Sequence, residues 1–494
     1  MNTGIGIPSI DVSEEPTVEL LAKELHKSAP QSHRCGSRRY MMLQMARWLH
    51  CADLNVCYGA PSPCVCQGNV IDCSNKGFHT IPSFNDASLR YNTLLMGENP
   101  IMPRRLANNV FNGLQINELH LNSANLDTID ANAFAGLENI LTTLNLRDNH
   151  FTVLPQALVS LHKLSYLDVS LNPISNFTDN TMRLIGDSVI GFTFGDSNLT
   201  EWPASLKHLQ QLQELDVEGG YFNLLPYGIF HGFEITLRKL TMNNVRLFTV
   251  PLGLAALTNI KELQMDHCFP YGNQALTDQP FQAIGDTLEV LSLRYDSFTE
   301  FPKVAKYLYH LKTLRLDGNQ LEFISDEAIE IMHNVNVSVL SLSDCHLTRV
   351  PGAIGNINYL INLDLSNNKI RSIERTDIHN MNSLMTLSLS GNPLVYISQD
   401  SLTKVYNLQT LNLASTNLTV ISHAISNLPG LQLLDLSNNK IDCTCDLVWV
   451  KKYLIALGEP FKIVGSCETI YLDIQTYLDT FIRDCPEFTR PFGK

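Results

Sequence analysis

The sequence predicts an α/β solenoid, in which short parallel strands stack into one concave sheet and a disulfide-bonded cap closes each end. Three observations carry that prediction. The pattern L-x-x-L-x-L-x-x-N-x-L returns about every 24 residues from residue 91 onward. Eight of the 12 cysteines fall in two tight clusters that bracket the repeats. The 494-residue chain is 44% hydrophobic and 17% charged, which is the composition of a globular chain and not of a disordered one. At roughly 150 residues per domain the length alone suggests about three domains, a prior that internal repeats override.

The clearest copies are Leu141-Thr-Thr-Leu-Asn-Leu-Arg-Asp-Asn-His-Phe151, Leu311-Lys-Thr-Leu-Arg-Leu-Asp-Gly-Asn-Gln-Leu321, Leu360-Ile-Asn-Leu-Asp-Leu-Ser-Asn-Asn-Lys-Ile370 and Leu431-Gln-Leu-Leu-Asp-Leu-Ser-Asn-Asn-Lys-Ile441. Counting degenerate copies, repeats start at 91, 116, 141, 164, 189, 212, 237, 260, 288, 311, 337, 360, 384, 408 and 431, fifteen in all. In each, the x-L-x-L-x segment is a short strand whose leucines point inward while the residues between them face out. One coil cannot bury its leucines, whereas stacked parallel coils bury a continuous apolar column. The asparagine that follows satisfies backbone groups where the chain leaves the strand, forming a ladder. At ~4.8 Å per strand the sheet measures on the order of 70 Å along its concave face. Its open ends would expose leucines, so caps are required there.

The cysteine clusters sit where the caps must be, with Cys57, Cys64, Cys66 and Cys73 before the array and Cys443, Cys445, Cys467 and Cys485 after it. Each holds a Cys-x-Cys step and two more distant partners, which suits two crossed bridges stapling a segment too small to bury its own core. Zinc is the competitor, but its ligands normally come as Cys-x2-Cys knuckles, a spacing neither cluster has. Disulfides imply an oxidising, extracellular compartment. Export requires a signal, yet Met1 to Ser32 is polar and mixed in charge. Residues 1–56 are therefore read as a divergent or misassigned leader, with a start near Met41 or Met42 as one way to reconcile the two observations. Cys35 and Cys51 lie in that leader and either pair with each other, stay free, or are absent from the mature chain.

Cys64-Val-Cys66-x6-Cys73 followed by Phe78-His-Thr-Ile-Pro82 resembles the N-terminal cap of extracellular leucine-rich repeat proteins. Cys443-Thr-Cys445-Asp-Leu-Val-Trp449 with Cys467 and Cys485 resembles their C-terminal cap. The resemblance covers roughly residues 57 to 486 and implies a leucine-rich repeat horseshoe. Its parts are a leader over 1–56, an N-terminal cap over 57–90, about fifteen repeats over 91–441, a C-terminal cap over 442–486 and a tail over 487–494. By the same resemblance the bridges are Cys57 to Cys66, Cys64 to Cys73, Cys443 to Cys467 and Cys445 to Cys485. The gap between Cys57 and Cys64 is longer than such caps usually show, so Cys51 is an alternative to Cys57. Cys268 and Cys345 occupy the ladder position, where this family admits cysteine as a small buried substitute. They lie three repeats apart, on the order of 15 Å, and are read as buried and unpaired instead of as a reactive or metal-binding pair. Toll-like and Slit-like ectodomains are similar. The stretch from Cys64 to Pro155 also resembles the leucine-rich non-catalytic subunit of decapod luciferase.

A second period runs beneath the first. Pro155, Pro203, Pro251, Pro302 and Pro351 recur at 48 to 51 residues, one per two repeats. The unit therefore reads as a pair, its shorter member opening the convex turn at the proline with a helical turn such as Gln156-Ala-Leu-Val-Ser160.

Outward strand positions form the concave face and follow from the register. The late repeats carry Asp364, Ser366, Ser388, Ser390, Asp435 and Ser437, the filler common to this architecture. The repeats starting at 212 to 311 differ, placing Glu214, Asp216, Glu218, Tyr221, Lys239, Asn243, Arg246, Asp266, His267, Arg294, Tyr295, Arg315 and Asp317 on or beside that face. Tyrosine and arginine supply anchors while charges set register, so this patch is the candidate partner-binding surface, against the plainer alternative of a solvated face. The repeat starting at 260 is the longest, and its Cys268-Phe-Pro-Tyr-Gly-Asn273 stretch must bulge outward, as a contact loop or a tolerated one. Sequons at Asn176, Asn198, Asn336 and Asn417 lie by register in loops flanking the strands, so glycans there would leave the face open.

The chain has 35 Lys+Arg against 49 Asp+Glu, a net charge of -14, which argues against a nucleic-acid groove. It has no run of about 18 apolar residues, so no membrane-spanning helix is expected and the mature protein should be soluble. The motifs G-x-S-x-G, H-E-x-x-H, G-x-x-x-x-G-K and C-x-x-C are missing, and the outward residues spread over an open curve instead of converging. No catalytic residue, cofactor or metal is therefore expected. The expected function is a secreted, non-catalytic recognition module for a protein or glycan partner, of the adhesion, matrix or innate-immune kind. The luciferase resemblance implies a second role, that of a scaffold subunit for a secreted enzyme carried on another chain.

Overall fold

The structure is a computed structural model and describes residues 60–84, 91–222, 225–332, 334–378, 381–458 and 461–486. The chain divides into two units, Met1–Asn55 and Val56–Lys494, and all the described residues lie in the second. The leader, with Cys35 and Cys51, falls outside them, as do Cys57 and the tail 487–494.

An 18-stranded sheet runs through the second unit. It opens on an antiparallel hairpin, Val65–Gln67 with Val70–Asp72. From Val70–Asp72 the pairing becomes parallel, rung by rung, through Thr93–Leu95, Glu118–His120 and Thr143–Asn145 and on to Leu433–Asp435. In each rung one inward side chain meets its equivalent: Leu94 with Leu119, Leu119 with Leu144, Leu167 with Phe192, Phe192 with Leu215. All of these are at most 2% exposed. A slip of one residue would turn that column to solvent, which is why the period of the leucines sets the register.

The ladder closes each coil onto the one before. Asn99, Asn149, Asn172, Asn319, Asn368, Asn392 and Asn439 are all buried. Asn319 is typical: its amide donates to the carbonyls of Leu293 (2.8 Å) and Leu316 (2.7 Å), and its Oδ1 accepts from the N–H groups of Asp296 and Phe298, both at 3.0 Å. Every polar valence that matters at the turn is thereby satisfied inside the protein. The residue just before the ladder position turns left-handed even where it is bulky, as at Leu171 (φ 54°), His267 (φ 57°) and Tyr295 (φ 57°). Non-glycine residues rarely take that conformation unless their surroundings impose it.

Where two consecutive coils lack a polar ladder residue the sheet itself changes, whereas the single apolar substitute Ala124 leaves its strand, Glu118–His120, short. Gly220 and Val245 stand at that position in consecutive coils, and no amide turns the chain there. The strands run on to nine residues, Glu214–Phe222 and Lys239–Leu247, pairing in parallel from Glu214 with Lys239 to Phe222 with Leu247. The short strand expected from the repeat pattern is thus corrected in these two coils. Cys268 and Cys345 are buried, unpaired thiols that replace the ladder amide, donating to the carbonyls of Met242 (3.2 Å) and Leu316 (3.1 Å) respectively.

The convex side alternates. Five-residue 3-10 helices, Gln156–Ser160, Ala204–His208, Leu252–Ala256, Lys303–Tyr307 and Gly352–Asn356, each follow one of the periodic prolines. Proline's fixed φ suits the extended residue that enters the turn. In the coil of 408 a serine takes over this role, Ser422 accepting from Ala424 N–H ahead of the turn His423–Asn427. Longer coils carry α-helices instead, Asp179–Ile185, Asp278–Ile284 and Asp326–Glu330. In the longest coil the additional residues form a 3-10 turn, Gly272–Ala275, preceded by the half-exposed Tyr271.

Three bridges, Cys64–Cys73, Cys443–Cys467 and Cys445–Cys485, staple the ends. Cys66 is also disulfide-bonded, to a partner outside the described residues. At the far end the strand Lys462–Val464 extends the sheet beyond Leu433–Asp435. The helices Val448–Leu457 and Ile474–Thr480 bury Val448, Val450, Ile474 and Leu478 there, so the last coil's leucines are not left open. Among the described residues no helix is long and apolar enough to cross a membrane.

Candidate binding face

Alternation along the strands aims every second residue away from the core, and the parallel register lines these residues up in rows. Across the two long strands Glu214 lies opposite Lys239, Asp216 opposite Thr241, Glu218 opposite Asn243 and Tyr221 opposite Arg246; Asn243 in turn faces Asp266.

These side chains are not equally available. Asp266 is 3% exposed and fully engaged. Its Oδ1 accepts from Ser292 Oγ (2.7 Å) and Arg294 N (2.9 Å), and its Oδ2 accepts from Arg294 Nε (2.8 Å) and Nη2 (2.6 Å). The pair ties two neighbouring coils together, and the hydrogen bond from Arg294 raises the guanidinium pKa further. Asp317 accepts from the Ser341 hydroxyl and from Ser343 N–H (3.0 Å), and burial lifts its carboxyl pKa. His267 stacks flat on Tyr295, with ring centroids 4.5 Å apart, and Tyr295 remains 46% exposed. The tyrosine leans over Gly318, where a Cβ would meet its ring at 2.0 Å. Arg315, Lys239 and Glu218 are half-buried.

The long strands also build an aromatic row at one edge of the sheet. Arg246 lies over the Tyr221 ring at 5.2 Å, Tyr221 meets Phe248 edge-on at 6.2 Å, and Phe248 stacks on Tyr271 at 5.4 Å. Sequence reasoning reaches Tyr221 and Arg246 through the register and Tyr271 through the bulging stretch 268–273, but misses Phe248, which lies past the repeat's strand positions. The available signal was the missing ladder asparagine at Gly220 and Val245.

A notch of about 120 Å³ opens earlier on the same face, lined by His120, Asn145, Tyr166, Asp168, Gly191, Thr193, Glu214 and Asp216. Gly191 supplies no side chain to its row, and the Tyr166 ring lies across it, so close that a Cβ would meet Cδ1 at 2.4 Å. Asp168 Oδ1 accepts from Ser170 N (2.9 Å) and Oγ (2.6 Å), yet burial still pushes its pKa up. Burial likewise lowers the His120 pKa, against the pull of Glu118 and Asp168. Arg147 reaches over the face to Glu218 at 3.3 Å. Among the sequon asparagines, Asn176, Asn198, Asn336 and Asn417 are all exposed and lie outside the strands of the main sheet.

The family model for the leucine-rich repeat matches residues 114–174, 335–394 and 383–441. The chain is a leucine-rich repeat solenoid. Among curated proteins it is similar to the volume-regulated anion channel subunit LRRC8B of Mus musculus, 27% identical over 241 residues, which is 48% of this chain and 29% of that protein. It is also similar to the adenylate cyclase of Schizosaccharomyces pombe, 25% identical over 283 residues, 52% of this chain and 16% of that protein. The chain thus spans less than a third of the length of either relative. Among solved structures, a leucine-rich repeat protein of Leptospira interrogans superposes with a TM-score of 0.56 at 23% identity, over 79% of this chain and 94% of the other. The Drosophila Toll–Spatzle complex gives a TM-score of 0.53 at 17% identity, over 76% of this chain and 57% of the other. These likenesses establish the fold.

Proposed function

We propose that the chain is a secreted, non-catalytic recognition module that binds a protein or glycan partner through the outward face of its strands, in an adhesion, matrix or innate-immune setting. The observation that carries this reading is a division of labour within each rung. Inward residues hold the fold, while outward ones such as Glu218, Lys239, Asn243, Tyr295 and Arg315 stand in register on a surface that the other described residues leave open. Disulfides at both ends support an oxidising compartment, and four exposed sequons support glycosylation away from the face. The solved Toll–Spatzle complex supports a protein ligand by analogy of fold only.

Crosslinking mass spectrometry on the secreted protein in its native fluid tests the reading. Crosslinks from Lys239 and its neighbours to one partner are expected. Crosslinks confined to the convex turns, such as those at Lys303 and Lys306, would reject it. Replacing Asp216, Tyr295 and Arg315 together should abolish partner binding and leave the melting temperature unchanged; retained affinity rejects the central patch.

A further inference from the structure

The outward face is short of cations. Among the described residues its basic side chains are Lys239, Arg246, Arg315 and Lys462 on the strands, with Arg147 and Arg294 just past theirs. Arg147 is held by Glu218, Arg294 by Asp266, and Arg246 lies over the Tyr221 ring. Around the notch Glu118, Asp168, Glu214, Asp216 and Glu262 make no ion pair among the described residues. Beside the notch two polar atoms are shut away from solvent with no hydrogen-bond partner, Asp216 Oδ1 and the Thr241 hydroxyl. They belong to register partners on adjacent strands, both aimed outward, and Thr241 is only 7% exposed. A buried acceptor without a donor is unfavourable, and a ligand bringing N–H groups relieves it.

We propose that this notch receives the cationic side chain of a basic polypeptide segment, seated between the Tyr166 ring and the carboxylates of Asp168 and Asp216. The proposal rests on the reading of the outward face as a binding surface and goes beyond it by fixing the chemistry of the partner. The aromatic wall stabilises a cation over its face, while the carboxylates accept its N–H groups. Arginine suits the site better than lysine, because a planar fork can lie on Tyr166 and still donate sideways to two acceptors. Glu118, Glu214 and Glu262 stand in the same row as Tyr166, with Lys239 between the last two, and hold the flanking basic residues and repel polyanions.

The test uses the full chain against immobilised arginine-rich, lysine-rich and glutamate-rich peptides of equal length, read by biolayer interferometry. The arginine-rich peptide is expected to bind, about tenfold or more weakly when salt rises from about 50 to about 300 mM. Asp216→Asn is expected to weaken binding about tenfold, and Tyr166→Leu to erase the preference for arginine over lysine. The charge-matched control Glu330→Gln, on the convex helix Asp326–Glu330, should change affinity by less than about twofold. Equal losses in the control and in Asp216→Asn overturn the proposal, as does an arginine-rich peptide that fails to bind the folded chain. If Asp216→Asn does not melt like the parent, Tyr166→Leu and Thr241→Val decide the matter. Hydrogen-exchange footprinting of the native partner separates the two levels. A footprint on the outward face made by an acidic or neutral segment defeats this proposal and leaves the broader reading standing, and a footprint on the convex turns defeats both.

Discussion

Asp296 stands where other coils carry the ladder asparagine, and the difference of one group decides its chemistry. An amide both accepts and donates, whereas a carboxylate only accepts unless it is protonated. Asp296 Oδ1 accepts from the N–H groups of Cys268 (2.6 Å) and Phe269 (3.0 Å); Oδ2 has no partner, and the residue is 1% exposed. Burial above all pushes its pKa up to about 8, against the pull of those two N–H donors and with some help from the Asp266 charge. The native state therefore holds a proton that the unfolded chain, with an ordinary carboxyl, releases near pH 4. Stability is greatest below that value and falls as pH rises through the window up to about 8. Asp296→Asn supplies a donor that does not titrate, so its gain in stability, read from melts at each pH, should be small near pH 5 and larger near pH 8.5, by on the order of a few kcal/mol at most. A gain independent of pH would show that the carboxyl is not held neutral. Asn319→Ala tests the intact ladder: it deletes four buried hydrogen bonds and should lower stability by roughly 2–4 kcal/mol in a denaturant melt. Burial raises the Cys345 thiol to about 12 and the Cys268 thiol well above its ordinary value, so alkylation by iodoacetamide should reach either only after unfolding.

At the scale of the element, the nine-residue strands depend on residues that do not turn. Gly220 sits at φ 130° with Phe222 Cε2 3.0 Å and the Leu199 carbonyl 3.3 Å from where a Cβ would be. Gly458, at φ 77° past a helix end, has nothing within 4 Å of that point. Alanine at Gly458 should cost about 1 kcal/mol for its backbone conformation alone, and at Gly220 about 2–3 kcal/mol, because crowding adds to it. Equal losses would mean that the long strands relax freely. The phase of the strands was legible in the sequence because a one-residue slip would expose Leu215 or Leu240. The convex alternation was legible because Pro155 and its equivalents repeat once per pair. The extension of the strands was signalled only negatively, by Gly220 and Val245 where asparagine was due. The notch was not legible, since Tyr166 and Gly191 are 25 residues apart and become neighbours only when coils stack. Asp266 looked like a surface charge for the same reason, its partner Arg294 lying 28 residues away.

Across the whole solenoid each coil touches mainly the next, so stability is a chain of local interfaces and its ends are the weak points. At the C-terminal end the covering layer of Val448, Val450, Ile474 and Leu478 is held by two bridges, closing loops of 24 and 40 residues. In the chain-entropy account each is worth on the order of 3–4 kcal/mol. Removing the wider one with Cys445→Ser/Cys485→Ser should release the helix Ile474–Thr480 first and then uncover the strand Leu433–Asp435. The central rungs Glu214–Phe222 and Lys239–Leu247, paired over their full length, should feel little of it. Hydrogen exchange read by mass spectrometry would report this as a gradient, with protection lost in residues 433–485 and retained around Leu215 and Leu240. Uniform loss of protection along the array would mean that the coils unfold as one cooperative block, and the cap would then guard the entire solenoid instead of its last turns.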